Sequence, residues 1–171
     1  MQNVEIKCEL RDPALARALC AALRVPLAET LKQTDTYFKL ADGRLKRRES
    51  EGFPTEYIFY HRENAAKNRI SRFKIYSVQE ARTVFGMQEP PVWVVVKKVR
   101  EVYMHDGVRI HLDAVEGLGN FFELEALVTP QNNLAKSYAK VDFLRKHFGP
   151  SLGEPLSVSY CDMIAAEQAG G

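Results

Sequence analysis

Apolar and polar residues alternate along most of the chain. In residues 3–10 every second residue, beginning with Val4, is apolar, and the residues between them are polar or charged. A period of two is typical of a β-strand that turns one face toward a core. Similar alternation, or a run of β-branched and aromatic residues, recurs in seven further segments. The predicted strands are residues 3–10, 31–40, 44–49, 56–62, 69–77, 92–105, 108–114 and 121–128.

Helix signals are concentrated near the two ends of the chain. Asp12-Pro13 and Thr129-Pro130 each place a capping side chain before a proline, which is a common helix start. We therefore expect a helix over residues 14–23 after the first pair, and a helix that runs to about His147 after the second. Two shorter helices are predicted, one over residues 78–85 and one around residues 161–167.

Short turns join the predicted strands. Asp42-Gly43 and Asp106-Gly107 are strong hairpin signals, and residues 64–68 form a polar loop. Strands and helices do not alternate regularly, which argues against a parallel sheet. The sequence therefore predicts an α+β protein: a closed eight-stranded antiparallel β-barrel with helices packed outside, in a single domain spanning residues 1–171.

Composition narrows the class of protein. The net charge is only +2, from 24 Lys+Arg and 22 Asp+Glu, which argues against a protein that binds nucleic acid through bulk positive charge. No apolar run is long enough to cross a bilayer, and the first residues lack the features of a signal peptide. The three cysteines show no metal-ligand spacing and indicate reduced thiols. We therefore expect a cytoplasmic protein with neither a membrane nor a nucleic acid as its partner.

Charged residues occupy the polar face of nearly every predicted strand. They recur at a spacing of two, as in Lys46 and Arg48 or Glu123 and Glu125. The ordinary interpretation of one such pair is a solvated sheet face with cross-strand ion pairs. If the barrel closes, however, one set of faces points inward, where charges must be paired or bound to a ligand. Cations are concentrated on the middle strands and carboxylates on the first and late strands, which suits a polyanion bridged by a divalent metal.

A series of short motifs runs through nearly the whole chain. The motifs are Asn3-Val4-Glu5-Ile6-Lys7, Asp35-Thr36-Tyr37-Phe38, Gly43-Arg44-Leu45-Lys46-Arg47-Arg48, Lys98-x-Arg100-x-x-Tyr103, Arg109-x-His111-x-Asp113, Gly117-Leu118-Gly119-x-Phe121-x-Glu123-x-Glu125 and Ser159-Tyr160-x-Asp162. In this order and spacing they resemble the CYTH superfamily, the triphosphate tunnel metalloenzymes, which includes class IV adenylyl cyclases and thiamine and inorganic triphosphatases. The motifs are most similar to those of the cyclase branch.

The resemblance implies a β-tunnel that holds a small-molecule triphosphate together with Mg²⁺ or Mn²⁺. The implied metal ligands are the carboxylates Glu5, Glu123 and Glu125, with Asp113 as an assisting ligand. The implied triphosphate ligands are Lys7, Lys46, Arg48, Arg62, Arg69, Lys98, Arg100 and Arg109. Four of these are also the predicted catalytic residues, namely Lys7, Arg48, Lys98 and Arg100.

One position departs from the family pattern. The first glutamate of the family's Glu-x-Glu-x-Lys strand is Asn3 here, and a neutral amide is a weaker metal ligand. Glu9 stands on the same strand face. Either Glu9 restores the lost carboxylate as a further metal ligand, or it lies in water at the tunnel mouth and the site binds metal more weakly.

Three functions stay open at this point. The branch-like motifs favour a class IV-type adenylyl cyclase that converts ATP to cyclic AMP and pyrophosphate. The same tunnel also suits a triphosphatase that hydrolyses an inorganic, nucleoside or thiamine triphosphate, because positioning and charge neutralisation serve both reactions. Asn3 raises a third alternative, a triphosphate-binding domain without turnover. A homodimer is compatible with the sequence.

Overall fold

The computed structural model describes residues 1–62, 65 and 67–170. These residues form nine strands and four helices. In chain order they are β1 (Gln2–Leu10), α1 (Pro13–Ala22), β2 (Leu27–Phe38), β3 (Arg44–Ser50), β4 (Glu56–Arg62), β5 (Arg69–Ser77), α2 (Val78–Phe85), β6 (Val92–His105), β7 (Val108–Val115), β8 (Gly119–Leu127), α3 (Leu134–Phe148), a 3₁₀ turn (Gly149–Ser151), β9 (Leu152–Pro155) and α4 (Tyr160–Gly170).

The first strand closes the sheet into a barrel. The strands are hydrogen-bonded in the order β5-β4-β3-β2-β6-β7-β8-β1, and β1 also pairs with β5, with Asn3 opposite Ser71 and Glu5 opposite Arg69. The far half of β1 pairs instead with β9, where Leu10 lies opposite Leu152. All of these pairings are antiparallel. The predicted closed eight-stranded barrel with helices outside is therefore confirmed.

The main apolar core lies outside the barrel. The even-numbered residues of β1 from Val4 onward are buried with Ile110 and Leu124 against the helices α1 and α3. The helices contribute Leu144 and other apolar residues to the same core. Because successive strand residues point to opposite faces, this packing turns the odd-numbered residues of β1 inward. The alternation that builds the external core thus places charged residues inside the barrel.

The two ends of the barrel differ. Antiparallel pairing brings the first residues of β1, β2, β4 and β7 to the same end as the last residues of β3, β5, β6 and β8. The other end is covered by α4, whose Tyr160 and Cys161 pack with Phe121, Val94 and Val96 in a second apolar cluster. The barrel interior is therefore accessible from one end and covered by a helix at the other.

The prediction that the long helix begins at Thr129-Pro130 is wrong. The Thr129 hydroxyl accepts a hydrogen bond from the backbone N–H of Asn132 at 3.0 Å, which closes a turn rather than a helix. The helix α3 begins at Leu134, and the side chain of Asn133 caps it by accepting from the N–H of Lys136 at 3.0 Å. By contrast, Asp12 caps α1 as predicted, and Ser77 caps α2, the helix predicted over residues 78–85.

Most other boundaries agree with the sequence within one or two residues. The second strand is an exception, since it begins at Leu27 rather than Leu31 and thereby pairs along nearly the full length of β6. The short strand β9 was not predicted, because a segment with Gly153 and Pro155 shows no alternation. The predicted loop at 64–68 lies partly outside the described residues. Within the part of the chain that the structure describes, no helix is long and apolar enough to span a bilayer.

Candidate functional site

The barrel encloses a cavity of about 530 Å³ that is lined by side chains from all eight barrel strands and from α4. A volume of this size suits a small-molecule ligand. Its charged lining residues are Glu5, Lys7, Glu29, Lys46, Arg48, Glu56, Arg62, Lys98, Arg100, Arg109, Glu123 and Glu125. Most of the predicted triphosphate and metal ligands are thus brought together in one cavity. Three predicted residues do not line it: Glu9, Arg69 and Asp113.

Three cations surround the buried carboxylate of Asp35. Arg48 donates two hydrogen bonds to Asp35, at 2.8 and 2.7 Å, and the Lys98 ammonium donates a third at 2.7 Å. The Lys46 ammonium lies 3.3 Å from the same carboxylate. Asp35 sits on β2 between β3 and β6, so its neighbours on both sides contribute. One carboxylate cannot neutralise three cations, and this wall of the cavity keeps an excess of positive charge.

The pKa values in this cluster follow from burial and charge. Burial opposes ionisation of Asp35, but the adjacent Arg48, Lys46 and Lys98 outweigh it and hold the Asp35 pKa well below its ordinary value. Burial, reinforced by Arg48, lowers the pKa of both Lys46 and Lys98.

The sequence analysis assigned no role to Asp35. The residues two positions away are Gln33 and Tyr37, so no charged pair marked it, and only its place in the Asp35-Thr36-Tyr37-Phe38 motif singled it out.

Asp113 holds an arginine at the closed end of the cavity. Arg100 donates to both carboxylate oxygens of Asp113 at 2.8 Å, and the Tyr160 hydroxyl donates to Oδ2 at 2.7 Å. Asp113 is fully buried, and its pKa falls to about 2 because Arg100 outweighs the effect of burial. Its oxygens are therefore occupied by protein donors, and the structure places Asp113 behind Arg100 rather than among the carboxylates that face the cavity.

A second wall, on β7 and β8, carries the crowded carboxylates. One ligand atom each from His111, Glu123 and Glu125 lies within 4.8 Å of the others. Burial, followed by repulsion from Glu123 and Glu5, raises the pKa of Glu125 to about 8. Burial, reinforced by Arg100, lowers the pKa of His111 to about 4, so its imidazole is neutral at pH 7. The His111 Nε2 atom is buried with no hydrogen-bond partner among the described residues. A divalent cation would supply the missing positive charge, so Glu123 and Glu125, with His111 beside them, fit the metal that the fold family implies.

Lys7 lies between the acidic wall and the closing helix. Its ammonium is 3.5 Å from Glu123 Oε2 and 3.5 Å from the ring centroid of Tyr160. Burial, with a contribution from Arg62, lowers the Lys7 pKa to about 8 despite the attraction of Glu123. The ammonium is thus held by a carboxylate and an aromatic face at the deepest part of the cavity.

Arg62 and Arg69 share Glu5 but occupy different surroundings. Arg62 lines the cavity and donates to Glu5 Oε1 at 3.0 Å. Arg69 is 1% exposed, and its Nη1 donates to the backbone oxygens of Ala65, Leu156 and Ser157 at 3.3, 3.4 and 3.1 Å. Arg69 therefore ties the β1–β5 seam to the segment before α4, behind the cavity wall.

Glu9 and Asn3 lie far apart along β1. Asn3 lines the cavity near the open end, whereas Glu9 lies six residues further along β1, beyond the cavity and next to Gly153. At about 3.3 Å per residue, the two positions are about 20 Å apart.

The predicted triphosphate ligand Arg109 lies at the open end of the cavity, across from Glu125, and its side chain is exposed.

The chain is similar to known proteins over most of its length. The family model described as the CYTH domain matches residues 1–152. A protein of Methanocaldococcus jannaschii named "Putative adenylate cyclase" is 26% identical over 175 residues, which cover 95% of this chain and 98% of that protein.

Solved structures share the fold. A structure from Vibrio parahaemolyticus, named a "putative adenylate cyclase", has a TM-score of 0.77 at 17% identity and covers 95% of this chain and 97% of its own. A Hippeastrum protein, described as a "putative adenylyl cyclase" with a dominant triphosphatase activity, has a TM-score of 0.64 at 16% identity and covers 98% and 96%. These structures share the fold, and the family match over residues 1–152 shows that the chain belongs to the CYTH domain family.

Proposed function

We propose that this protein is a divalent-metal-dependent enzyme that binds ATP in the barrel and converts it to cyclic AMP and pyrophosphate. The observation that carries the proposal is the uneven distribution of buried charge between two walls, which meet where Arg100 and Lys7 approach Glu123. Cations exceed carboxylates around Asp35, while carboxylates crowd one another around Glu125. Buried charge of this kind is costly unless a ligand compensates it. A triphosphate with its metal carries negative charge to the first wall and positive charge to the second.

The cation wall supplies the phosphate contacts. Arg48 and Lys46 reach the cavity from β3. Lys98 and Arg100, two residues apart on the same face of β6, reach it from the neighbouring side. Charge-assisted hydrogen bonds from such donors are the strongest that a phosphate can receive. Asp35 and Asp113 hold these side chains in fixed orientations before the substrate arrives, which lowers the cost of organising them. Lys7, Arg62 and Arg109 extend the set toward the remaining phosphates.

The acidic wall supplies the metal ligands. Glu123, Glu125 and His111 would hold Mg²⁺ or Mn²⁺, with Glu5 beside them. When bound, the cation would supply positive charge that offsets the charge developing on the leaving group. Asp113, committed to Arg100 and Tyr160, acts as a positioning residue in this scheme.

The cyclisation needs no covalent chemistry from the chain. The ribose 3′-hydroxyl oxygen attacks the α-phosphorus and its proton passes to water. The bond between the α-phosphorus and the oxygen that bridges to the β-phosphorus breaks, and pyrophosphate leaves with the electron pair of that bond. Lys98, Arg48 and Lys46 bind that pyrophosphate and stabilise its developing charge.

The second candidate function is hydrolysis, in which water attacks the terminal phosphate. It is favoured by the cation cluster itself, because these contacts hold a triphosphate without specifying the nucleophile.

Product analysis tests the proposal. Purified protein is incubated with ATP or with tripolyphosphate, in Mn²⁺ or in Mg²⁺, and the products are separated. Cyclic AMP as the main product supports the cyclase. Phosphate release without cyclic AMP establishes the second candidate, and tight binding without turnover identifies a non-catalytic binding domain.

Variants link the activity to the two walls. Arg48→Ala and Glu123→Gln should each lower turnover at least ten-fold. Arg17→Ala is the matched control, since it removes an arginine–glutamate pair from the outer surface. Full activity in both cavity variants would overturn the site.

A further inference from the structure

An amide oxygen without a hydrogen-bond partner lies on the cavity wall beside the cation cluster. Gln33 lies on β2, two residues from Asp35 on the same inward face, and it lines the cavity. The residue is only 5% exposed. Its Nε2 donates to the Ser50 hydroxyl at 3.1 Å, whereas its Oε1 is buried with no partner among the described residues. Such an acceptor is uncommon in proteins, because it has lost the hydrogen bonds that water offers the unfolded chain.

The neighbouring strands do not satisfy this oxygen. Lys98 lies directly opposite Gln33 on β6, but its ammonium donates to Asp35 at 2.7 Å. Ser50 lies opposite Gln33 on β3, and its hydroxyl oxygen already accepts from Nε2. The amide is therefore held in place from one side, while its oxygen is left for a group that the described residues do not supply.

Gln33 is the next inward residue of β2 from the phosphate contacts toward the open end. Two residues along a strand span about 7 Å, so Gln33 lies about that far from Asp35 and its cations. Leu31 and Glu29 continue the same lining to the opening. A ligand whose terminal phosphates contact Arg48 and Lys98 thus brings the group attached to those phosphates beside Gln33.

The chemistry of the unpaired atom selects the kind of group that binds it. The oxygens of an ionised triphosphate are hydrogen-bond acceptors, so they cannot satisfy Gln33 Oε1. A hydroxyl group can donate to it. The terminal torsion of a glutamine side chain is broad, so the amide can turn toward a donor in the cavity that this side chain already lines. In ATP the donors nearest to the α-phosphate are the ribose hydroxyls.

We infer that Gln33 accepts a hydrogen bond from a ribose hydroxyl of the bound nucleotide and holds the sugar against the α-phosphate. The cations around Asp35 hold any triphosphate, whereas Gln33 favours attack by the ribose over attack by water, because it restrains the group that carries the nucleophile. The inference rests on the proposed function, since it requires ATP in the cavity with its leaving pyrophosphate on the cations around Asp35.

Binding measured without turnover tests the role of Gln33. Calorimetric titrations in EDTA compare ATP, 2′,3′-dideoxy-ATP and tripolyphosphate. We expect the unmodified protein to bind ATP roughly ten-fold more tightly than 2′,3′-dideoxy-ATP, near the upper value for one neutral hydrogen bond. Gln33→Met keeps the length of the side chain and removes the acceptor. It should bind ATP and 2′,3′-dideoxy-ATP equally, with an unchanged affinity for tripolyphosphate.

Gln88→Met is the matched control, since Gln88 is exposed and does not line the cavity. It should keep the ten-fold preference for ATP. A preference that survives in Gln33→Met would overturn the inference, and so would an equal loss of ATP and tripolyphosphate affinity in that variant.

The unmodified protein provides a test that does not depend on the folding of a variant. Equal binding of ATP and 2′,3′-dideoxy-ATP would overturn the inference and leave the proposed function standing, because both ligands would still occupy the cavity. If neither ATP nor tripolyphosphate binds, in EDTA or with Mn²⁺, the proposed function fails and the inference fails with it.

Discussion

The Tyr160 hydroxyl donates a 2.7 Å hydrogen bond to Oδ2 of Asp113, and this bond connects the helix that covers the barrel to a cation inside it. Asp113 in turn accepts two hydrogen bonds from Arg100. The Tyr160 ring also lies against the Lys7 ammonium. One residue of α4 therefore orients two predicted triphosphate ligands that come from different strands.

Replacing Tyr160 by Phe should separate positioning from packing. The ring stays in place, so we expect the free energy of unfolding to fall by only about 1 kcal/mol, the usual value of one hydrogen bond. Turnover should fall about ten-fold with little change in KM, because small displacements of catalytic groups are costly. Steady-state kinetics and denaturation measure both effects. A loss of stability with unchanged kcat would show that Tyr160 serves packing alone.

Removing the Asp35 carboxylate should destabilise the protein strongly in the absence of ligand. Asp35→Asn leaves Arg48, Lys98 and Lys46 buried without a counter-charge, which we expect to cost about 3–5 kcal/mol. Added tripolyphosphate should raise the Tm of the variant more than that of the unmodified protein, because it replaces the lost charge. Thermal unfolding with and without tripolyphosphate measures this. The control is Asp42→Asn, since the side chain of Asp42 is 90% exposed.

The pH dependence of stability should report on Glu125. Its pKa is about 8 in the folded protein, above the ordinary value of 4.5, so the folded state retains a proton that the unfolded chain releases. The resulting stabilisation is complete below about pH 4.5 and is lost as the pH rises through 8. Glu125→Gln should therefore be more stable than the unmodified protein at pH 9, by roughly 1 kcal/mol or more, since one pKa unit corresponds to about 1.4 kcal/mol.

Denaturation of metal-free protein at pH 6 and pH 9 tests this expectation. Mn²⁺ should reduce the difference between the two proteins at pH 9, because a bound cation favours the ionised carboxylate. Identical pH profiles for the two proteins would contradict the assignment of Glu125 to a crowded acidic wall.

Arg62 and Arg69 should respond differently to substitution although both lie near Glu5. Arg62→Ala removes a cavity cation and should weaken tripolyphosphate binding about ten-fold, as expected for one charge-assisted hydrogen bond. Arg69→Met removes donors to three backbone oxygens and should lower the free energy of unfolding by more than about 2 kcal/mol. Its tripolyphosphate affinity should change little at a temperature where the variant is folded. A selective loss of affinity in Arg69→Met would restore Arg69 to the triphosphate ligands.

Metal affinity should depend on Asn3 and not on Glu9. Asn3→Glu adds a carboxylate near Glu5 and should tighten Mn²⁺ binding several-fold, because affinity for hard cations rises with the number of charged ligands. Glu9→Gln should leave Mn²⁺ binding unchanged, since Glu9 lies beyond the cavity. Both affinities are measured by Mn²⁺ titration. Weaker binding in Glu9→Gln would show that Glu9 reaches the metal.

Much of the fold follows from local signals in the sequence. The alternation in β1, β5 and β6, the capping of α1 by Asp12 and the Asp106-Gly107 turn are properties of neighbouring residues, and each was predictable. The failure at Thr129-Pro130 shows the limit of such signals, because the same side chain that can cap a helix can also close a turn. Most of the site residues that the family motifs implied lie on the strands predicted for them and line the cavity.

The sequence by itself determined which residues share a strand face and that those faces are charged. It did not determine which charges meet, because contacts between strands depend on pairing register and on closure of the barrel. Only the tertiary structure shows that three cations surround Asp35 and that Asp113 accepts hydrogen bonds from Arg100 and Tyr160. It also shows that Arg69 lies behind the cavity wall and that Glu9 lies outside the cavity. A period of two specifies a face, but whether that face lies inside the barrel, and at which depth, is decided by antiparallel pairing across the whole sheet.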